Sequence, residues 1–177
     1  MRKIHIWLIV ISFFLLILGV GTTVSYLVSS SKTVKNTFTI GFVDITLTET
    51  TGETYKIIPG AVVDKDPTVT VKKNSEECWL FVKIEKAGTF DTFCTYEVAE
   101  GWTALAGHDG VYYRKVEDQN QNTAFPILKD DRILVKDTVT EELLSTITKN
   151  PTLKFTAYAA QSSGLETAHD AWQILNS

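Results

Sequence analysis

Two histidine–aspartate dipeptides are the residues of this sequence that come closest to metal chemistry. His108 is followed by Asp109, and His169 is followed by Asp170. A zinc protease needs two or three neutral ligands and a carboxylate base, most compactly as His-Glu-x-x-His on one helix. The sequence lacks that motif, and the two dipeptides are so far apart that two distant loops would have to meet. We therefore expect exposed histidines, no metal site and no catalytic residues.

Two acidic pairs are the next candidates for binding a cation. Asp64 and Asp66 precede Pro67, and Asp130 and Asp131 lie between two apolar stretches. Neither pair has the spacing of a calcium-binding loop. Solvated turns are the favoured interpretation, and no cofactor is expected.

The two cysteines leave two hypotheses open. A disulfide between Cys78 and Cys94 would close a loop of about 16 residues and contribute roughly 3 kcal/mol in an exported chain. If residues 86–89 turn a hairpin between 79–85 and 90–98, however, the cysteines are offset by about 10 Å along the strands, beyond the roughly 7 Å that a bridge allows. A buried free thiol at Cys78 is therefore the favoured alternative.

An apolar run opens the chain. Ile4–Val20 follows Arg2 and Lys3, and its length of about 17 residues falls between an ordinary signal peptide and a membrane span. The small residues behind it predict cleavage between Ser25 and Tyr26 by a signal peptidase. Retention of residues 4–20 as an N-terminal membrane anchor is the alternative. Either outcome places the domain outside the cytoplasm, secreted or at the cell surface.

The remainder, about 150 residues, has the usual size of one domain. The whole chain has 17 basic and 21 acidic residues and no evident cluster of basic residues. Nucleic acid and anionic membrane surfaces are therefore poor partners.

Alternating apolar residues predict an all-β domain. The alternation is clearest in residues 68–73, 79–85 and 153–159, and VYYRKV (111–116) and RILVKD (132–137) continue it. Asp109-Gly110 predicts a hairpin turn. Seven or more strands favour a sandwich that resembles a jelly roll.

Two capping boxes predict short helices that dock on this sandwich. Thr138 with Glu141 begins one over 138–149, and Ser163 with Glu166 begins the other. Leu165, Ala168, Trp172 and Leu175 share a face of the second helix. We expect Trp79, Trp102 and Trp172 to pack in the core or on a sheet face rather than to stack on sugars.

The apolar phase changes near Gly41. Phe38, Ile40 and Phe42 occupy even positions, whereas Val43, Ile45 and Leu47 occupy odd ones. A β-bulge at Gly41, or two strands in different sheets, would reconcile the rows. The functional alternative is that the first row packs against a neighbouring copy at a sheet edge.

Several stretches together resemble one family. NTFTIGFVDITLTE (36–49) behind a TTVSYL exit, YKIIPGAVVDKDPTVTVKKNSEECWLFVKIEK (55–86), EGWTAL with GVYYRKV, and FTAYAAQSSGLETAHDAW (155–172) are similar to the TasA/camelysin-type secreted proteins of Gram-positive bacteria, which depend on the SipW class of signal peptidase. The resemblance implies a jelly-roll sandwich and fibres in which an N-terminal strand completes the sheet of the next subunit. Residues from about Tyr26 to Ile40 would then be the assembly strand.

The expected organisation is a signal peptide or anchor at 1–25, an exposed N-terminal strand at 26–40 and a β-sandwich at 41–177. The expected function is a non-enzymatic subunit of extracellular fibres or biofilm matrix whose partners are copies of itself and other matrix or cell-envelope components. The first alternative is a membrane-tethered sandwich that binds a wall polymer or host ligand. A camelysin-like metalloprotease is the second.

Overall fold

The computed structural model describes residues 42–52, 55–147 and 150–177, and the leader and the N-terminal strand expected at 26–40 lie outside them. Within these residues the strands are β1 (Ile45–Thr48), β2 (Val62–Asp64), β3 (Thr68–Val71), β4 (Cys78–Ala87), β5 (Cys94–Thr95), β6 (Thr103–Ala104), β7 (Val111–Val116), β8 (Thr123–Pro126), β9 (Arg132–Val135) and β10 (Thr152–Gln161). The helices are α1 (Phe90–Phe93), α2 (Glu141–Ser145) and α3 (Ala168–Leu175), and a 3₁₀ turn spans Lys129–Asp131.

The strands form three antiparallel sheets. A four-stranded sheet has the order β10-β4-β7-β6, and two three-stranded sheets have the orders β1-β3-β8 and β2-β9-β5. The long strands β4 and β10 pair over their whole length, from Cys78 opposite Gln161 to Ala87 opposite Thr152. This ladder joins the two longest strands of the domain.

The inner face of the four-stranded sheet supplies the main core. Leu80, Val82 and Ile84 of β4 are buried there, as the alternation predicts. They belong to one core cluster with Val69 and Val71 of β3 and with Ile133 and Val135 of β9. Burial of each such side chain contributes roughly 1.5 to 3 kcal/mol. The prediction of an all-β, sandwich-like domain is confirmed at this level.

The outer face of β4 is more buried than its sequence indicates. The alternation predicts a strand with one solvated face, yet Phe81 on the outer face is as fully buried as Leu80. Phe81 pairs with Tyr158 on one side and Tyr113 on the other, and Trp172 of α3 lies over it with ring centroids 5.2 Å apart. A helix from the end of the chain therefore covers a face that the local pattern assigns to water.

The two expected hairpins had different outcomes. The Asp109-Gly110 turn does connect β6 and β7. Gly110 has φ +73°, and a Cβ there would lie 2.4 Å from the carbonyl oxygen of Ile84, so only glycine fits.

The expected hairpin through residues 86–89 is wrong, because β4 pairs with β10 and β7 instead. The chain after it forms α1, which buries Phe90 and Phe93 in the main core. Burial of these two aromatic side chains favours a helical turn over continuation as a partner strand.

Both predicted helices exist, but they begin later than predicted. Thr140, not Thr138, caps α2 through a 3.2 Å hydrogen bond from the backbone N–H of Leu143. Thr167, not Ser163, caps α3 through a 3.1 Å bond from the N–H of Asp170. Serine and threonine are common in both regions, so the sequence offers several caps and only the geometry selects one. Helix α2 also ends earlier than predicted, at Ser145.

Both helices dock on the sheets, as expected. Helix α3 buries Ala168, Ala171 and Trp172. Leu165 and Leu175, which were also expected on this face, are half-buried. Helix α2 has no buried residue, and its Leu143 and Leu144 only lie against the edge of the main core.

Candidate functional site

The assembly residues expected from the sequence, namely Phe38, Ile40 and Gly41, lie outside the described residues, as do Ser25 and Tyr26. The described chain begins next to them. The Phe42 side chain is 82% exposed, whereas Val43 is 2% exposed. Of the odd-numbered row, Val43 and Ile45 therefore enter this domain's own core, whereas Leu47 is exposed. Phe42, the last residue of the even-numbered row, faces away from the core.

A large apolar cleft lies at the other end of β1. Its volume is about 1010 Å³. Its lining includes Leu47, Thr48 and Glu49 at the end of β1 and the first residues of β10, Thr152 to Phe155. Ile133 and Val135 of β9 and Phe90 of α1 also line the cleft. Three of the exposed large hydrophobic side chains of the described residues, Leu47, Tyr55 and Ile58, are in its lining.

The two strands that flank the cleft are both sheet edges. Strand β1 ends the β1-β3-β8 sheet, and β10 ends the four-stranded sheet. Some Cα atoms of the two strands lie within 8 Å of each other, but no hydrogen-bond ladder joins the strands in the described part of the chain. Edge strands offer unpaired N–H and C=O groups to an additional strand.

One ion pair marks the polar rim of the cleft. The Lys65 side chain is 9% exposed, and its ammonium group binds the carboxylate of Glu49. Lys65 also lies over the ring of Tyr55, 5.4 Å from its centroid. Removal of the partner from a buried charge is costly, so this pair holds the β1 end of the cleft to the residue that follows β2.

The acidic pairs are only partly in turns, because Asp64 is the last residue of β2 and pairs with Arg132 of β9. The Asp66 carboxylate accepts hydrogen bonds from Thr50 and Thr51, and the bond from the Thr50 hydroxyl above all lowers its pKa well below the usual range. Asp130 and Asp131 have φ of +54° and +51°, in the 3₁₀ turn before β9, and Asp130 pairs with Arg132 at 3.0 Å. Within residues 42–52, 55–147 and 150–177, no group of three or more His, Cys, Asp or Glu side chains is arranged to hold a metal ion.

The two histidines do meet, contrary to expectation. The ring centroids of His108 and His169 are 5.5 Å apart, and His108 is also 6.0 Å from the ring of Trp172. The β6–β7 turn carries one histidine and the first turn of α3 the other. No local signal could have predicted this contact, because it depends on where α3 docks.

Both cysteines are free buried thiols in the structure, in different sheets. Burial, with a smaller contribution from the neighbouring Glu77, raises the pKa of Cys78 to about 12. Burial likewise raises the pKa of Cys94. A thiol with a raised pKa is a poor nucleophile, so both side chains behave as core residues.

The tryptophans divide by burial. Trp172, a residue of α3, is buried, whereas Trp79 and Trp102 are half-buried. The indole N–H groups of these two donate to the carbonyl oxygens of Leu165 and Pro126, at 3.2 and 2.8 Å. Arg114 covers part of Trp102, 5.5 Å from its centroid. Both rings are therefore used for packing on the sheet, as expected.

Comparison with family models, with curated proteins and with solved structures finds no match for this chain. Among the described residues, none of the helices has the length and apolar character needed to cross a bilayer. The architecture defines a class, an all-β domain with an open apolar cleft to whose lining two edge strands contribute.

Proposed function

We propose that this chain is a non-enzymatic, secreted structural subunit of extracellular fibres or biofilm matrix, which assembles by N-terminal strand addition. The observation that carries the proposal is the apolar cleft, whose lining includes residues of the two edge strands β1 and β10. The occupant we propose is the segment Tyr26–Ile40 of a second copy. The resemblance to TasA/camelysin-type proteins, with the jelly roll that it implies, supports the same function.

The positions of donor and acceptor favour head-to-tail assembly. The chain runs from Phe42, whose carbonyl accepts a hydrogen bond from the N–H of Glu76, through β1 to Glu49 at the cleft. Consecutive residues of a strand advance about 3.3 Å, so these two points are roughly 20 Å apart. The chain therefore enters the domain away from the cleft. Different surfaces on the two sides of a contact produce open filaments when the rotation between copies does not close a ring.

The energetics are sufficient for association. Burial of Phe38 and Ile40 contributes roughly 1.5 to 3 kcal/mol each, and main-chain pairing with a free edge adds to it. Removal of the leader is the expected switch, because an uncleaved leader would hold the segment at the bilayer.

The donor half of the proposal is tested with residues 26–177. We expect filaments whose amount rises with protein concentration, measured by light scattering and electron microscopy. Phe38→Asp with Ile40→Asp should remain folded and monomeric, because charged side chains oppose burial in an apolar cleft. A wild-type protein that stays monomeric across concentration, pH and salt would contradict the proposal.

The acceptor half has a matched control in the chain. Ile58 lines the cleft and is 54% exposed, whereas Val62 of β2 is 55% exposed and lies outside the lining. Ile58→Asp should prevent filaments and Val62→Asp should not. Mixing Ile58→Asp with the Phe38/Ile40 variant leaves one intact donor and one intact acceptor, so we expect dimers that stop there. A mixture that remains monomeric would exclude head-to-tail addition.

A ligand-binding surface domain is the second candidate. The cleft volume of about 1010 Å³ lies at the upper end of the range for small-molecule sites, about 300 to 1,000 Å³. A membrane-tethered form that binds a wall polymer or host ligand would use the same cleft. Persistently monomeric protein that binds wall fragments, with loss of binding in Ile58→Asp but not in Val62→Asp, would favour this function.

A further inference from the structure

The contact between His108 and His169 lies outside the cleft and is used by nothing in the proposed assembly. His108 is half-buried and His169 is exposed, so the pair has one side against the protein and one side open to water. Their ring centroids are 5.5 Å apart with an interplanar angle of 45°. Two imidazoles that share one ion at metal–nitrogen distances of about 2.0 to 2.1 Å have centroids roughly 5 Å apart in a tetrahedral arrangement.

Each histidine is held by a firm support. The backbone N–H of His108 donates to the carbonyl oxygen of Leu105 at 3.1 Å, and its carbonyl accepts from the N–H of Val111 at 3.2 Å. His169 belongs to α3, which Trp172 fixes against Phe81 and Tyr158 at 5.2 and 5.3 Å between centroids. The loss of freedom on sharing a ligand is therefore small, since both side chains start from a fixed backbone.

The chemistry of the pair selects the ligand. Neutral imidazole suits Zn²⁺, Cu²⁺ and Ni²⁺, whereas Mg²⁺ and Ca²⁺ prefer oxygen. Asp109 and Asp170 follow the two histidines in the chain, so the local charge favours a cation. Asp170 is already committed as part of the helix cap, because its carboxylate accepts from the Thr167 hydroxyl at 2.6 Å.

From this juxtaposition we infer that His108 and His169 form a two-histidine site for a divalent transition-metal ion, with water at the remaining positions, which clips α3 to the β6–β7 turn. The role is structural, since the described residues contribute no third ligand to the site. A metal ion that binds only the folded state stabilises it. The bound metal therefore adds to the stability of the docked C-terminal helix.

Gln173 supplies a control within the site. Its side-chain Nε2 lies 3.1 Å from Nε2 of His169. A metal ion on that nitrogen would displace the amide, whereas a merely structural histidine would keep it. Gln173→Ala should therefore bind metal at least as tightly as the wild type.

The experiment uses the full-length chain purified without a histidine tag. Cu²⁺ is titrated while tryptophan fluorescence is followed, because Trp172 is 6.0 Å from His108 and a bound Cu²⁺ ion would quench it. Zn²⁺ and Mg²⁺ are compared by thermal unfolding. We expect one Cu²⁺ per chain and a melting temperature that rises with Zn²⁺ but not with Mg²⁺.

The variants separate a shared site from scattered binding. His108→Ala and His169→Ala should each lower Cu²⁺ affinity by about 100-fold, because the second imidazole adds to affinity through its high effective concentration. The double variant keeps His5, so its residual binding measures the contribution from the leader. Circular dichroism establishes that each variant is folded. Equal metal affinity in the wild type and the double variant would overturn the inference, as would quenching that survives in both single variants.

Discussion

The cleft and the aromatic cluster at α3 (Phe81, Tyr113, Tyr158 and Trp172) both border the four-stranded sheet, but only the cluster is closely packed. Each region has a helix that begins with a threonine cap of similar geometry, α2 at the cleft and α3 over the cluster. Helix α3 buries three residues, whereas α2 buries none. Caps therefore decide where a helix starts, and buried side chains decide whether it closes a surface.

The two regions also differ in what they leave open. The cluster is filled by aromatic rings with centroids 5 to 6 Å apart. The cleft contains an open volume beside two sheet edges. Helix α3 covers the outer face of the four-stranded sheet, whereas the cleft is a local opening beside the main core of the inner face.

The largest expected effect tests the closed region. Trp172→Ala should lower the free energy of unfolding by about 3 to 5 kcal/mol, because it removes a large buried side chain from three aromatic contacts. Leu144→Ala in α2 is the control and should cost about 1 kcal/mol, since Leu144 is only half-buried. Equilibrium unfolding in urea measures both. Equal losses of unfolding free energy in the two variants would contradict the difference in packing between the cluster and the cleft.

An intermediate effect tests the two caps. Thr167→Ala should cost about 1 kcal/mol in the free energy of unfolding, because α3 unfolds only together with the aromatic cluster. Thr140→Ala breaks a cap of the same type but should cost only a few tenths of a kcal/mol, since α2 can open locally. Amide exchange should then increase within α2 alone. A global loss of stability in Thr140→Ala would show that α2 is part of the cooperative core.

The smallest effect is the acid sensitivity of the closed side. The Glu77 carboxylate accepts hydrogen bonds from Lys115 at 2.7 Å and Ser162 at 2.6 Å, which lower its pKa to about 2. A lowered pKa stabilises the folded state above the ordinary glutamate pKa of about 4.3, and this contribution disappears as the pH falls toward about 2. Glu77→Gln should therefore lose stability less steeply between pH 5 and pH 2.

The control for this acid effect is Glu100→Gln, which changes an exposed glutamate. Urea unfolding at a series of pH values should give the wild-type slope for this variant. If the slopes of the two variants coincide, Glu77 does not contribute to acid sensitivity.

The amino-acid sequence by itself determined the local elements. Alternating apolar residues placed β3, β4, β9 and β10, and the Asp109-Gly110 turn placed the β6–β7 hairpin. The odd-numbered apolar row beginning at Val43 could also be predicted from the sequence, because successive side chains of a strand point to opposite faces. These features depend only on residues close together in the chain, so the sequence predicts them directly.

Tertiary structure alone decided which elements meet. The cleft depends on how the elements that line it come together, and the contact of His108 with His169 depends on where α3 docks. The turn after β4 became a helix because Phe90 and Phe93 could be buried in a core built from distant strands, and Phe81 was covered by a helix that lies more than 80 residues later in the chain. Burial is summed over the whole molecule, whereas periodicity reports only on neighbouring residues, and that is why the partners of these surfaces are absent from the local pattern.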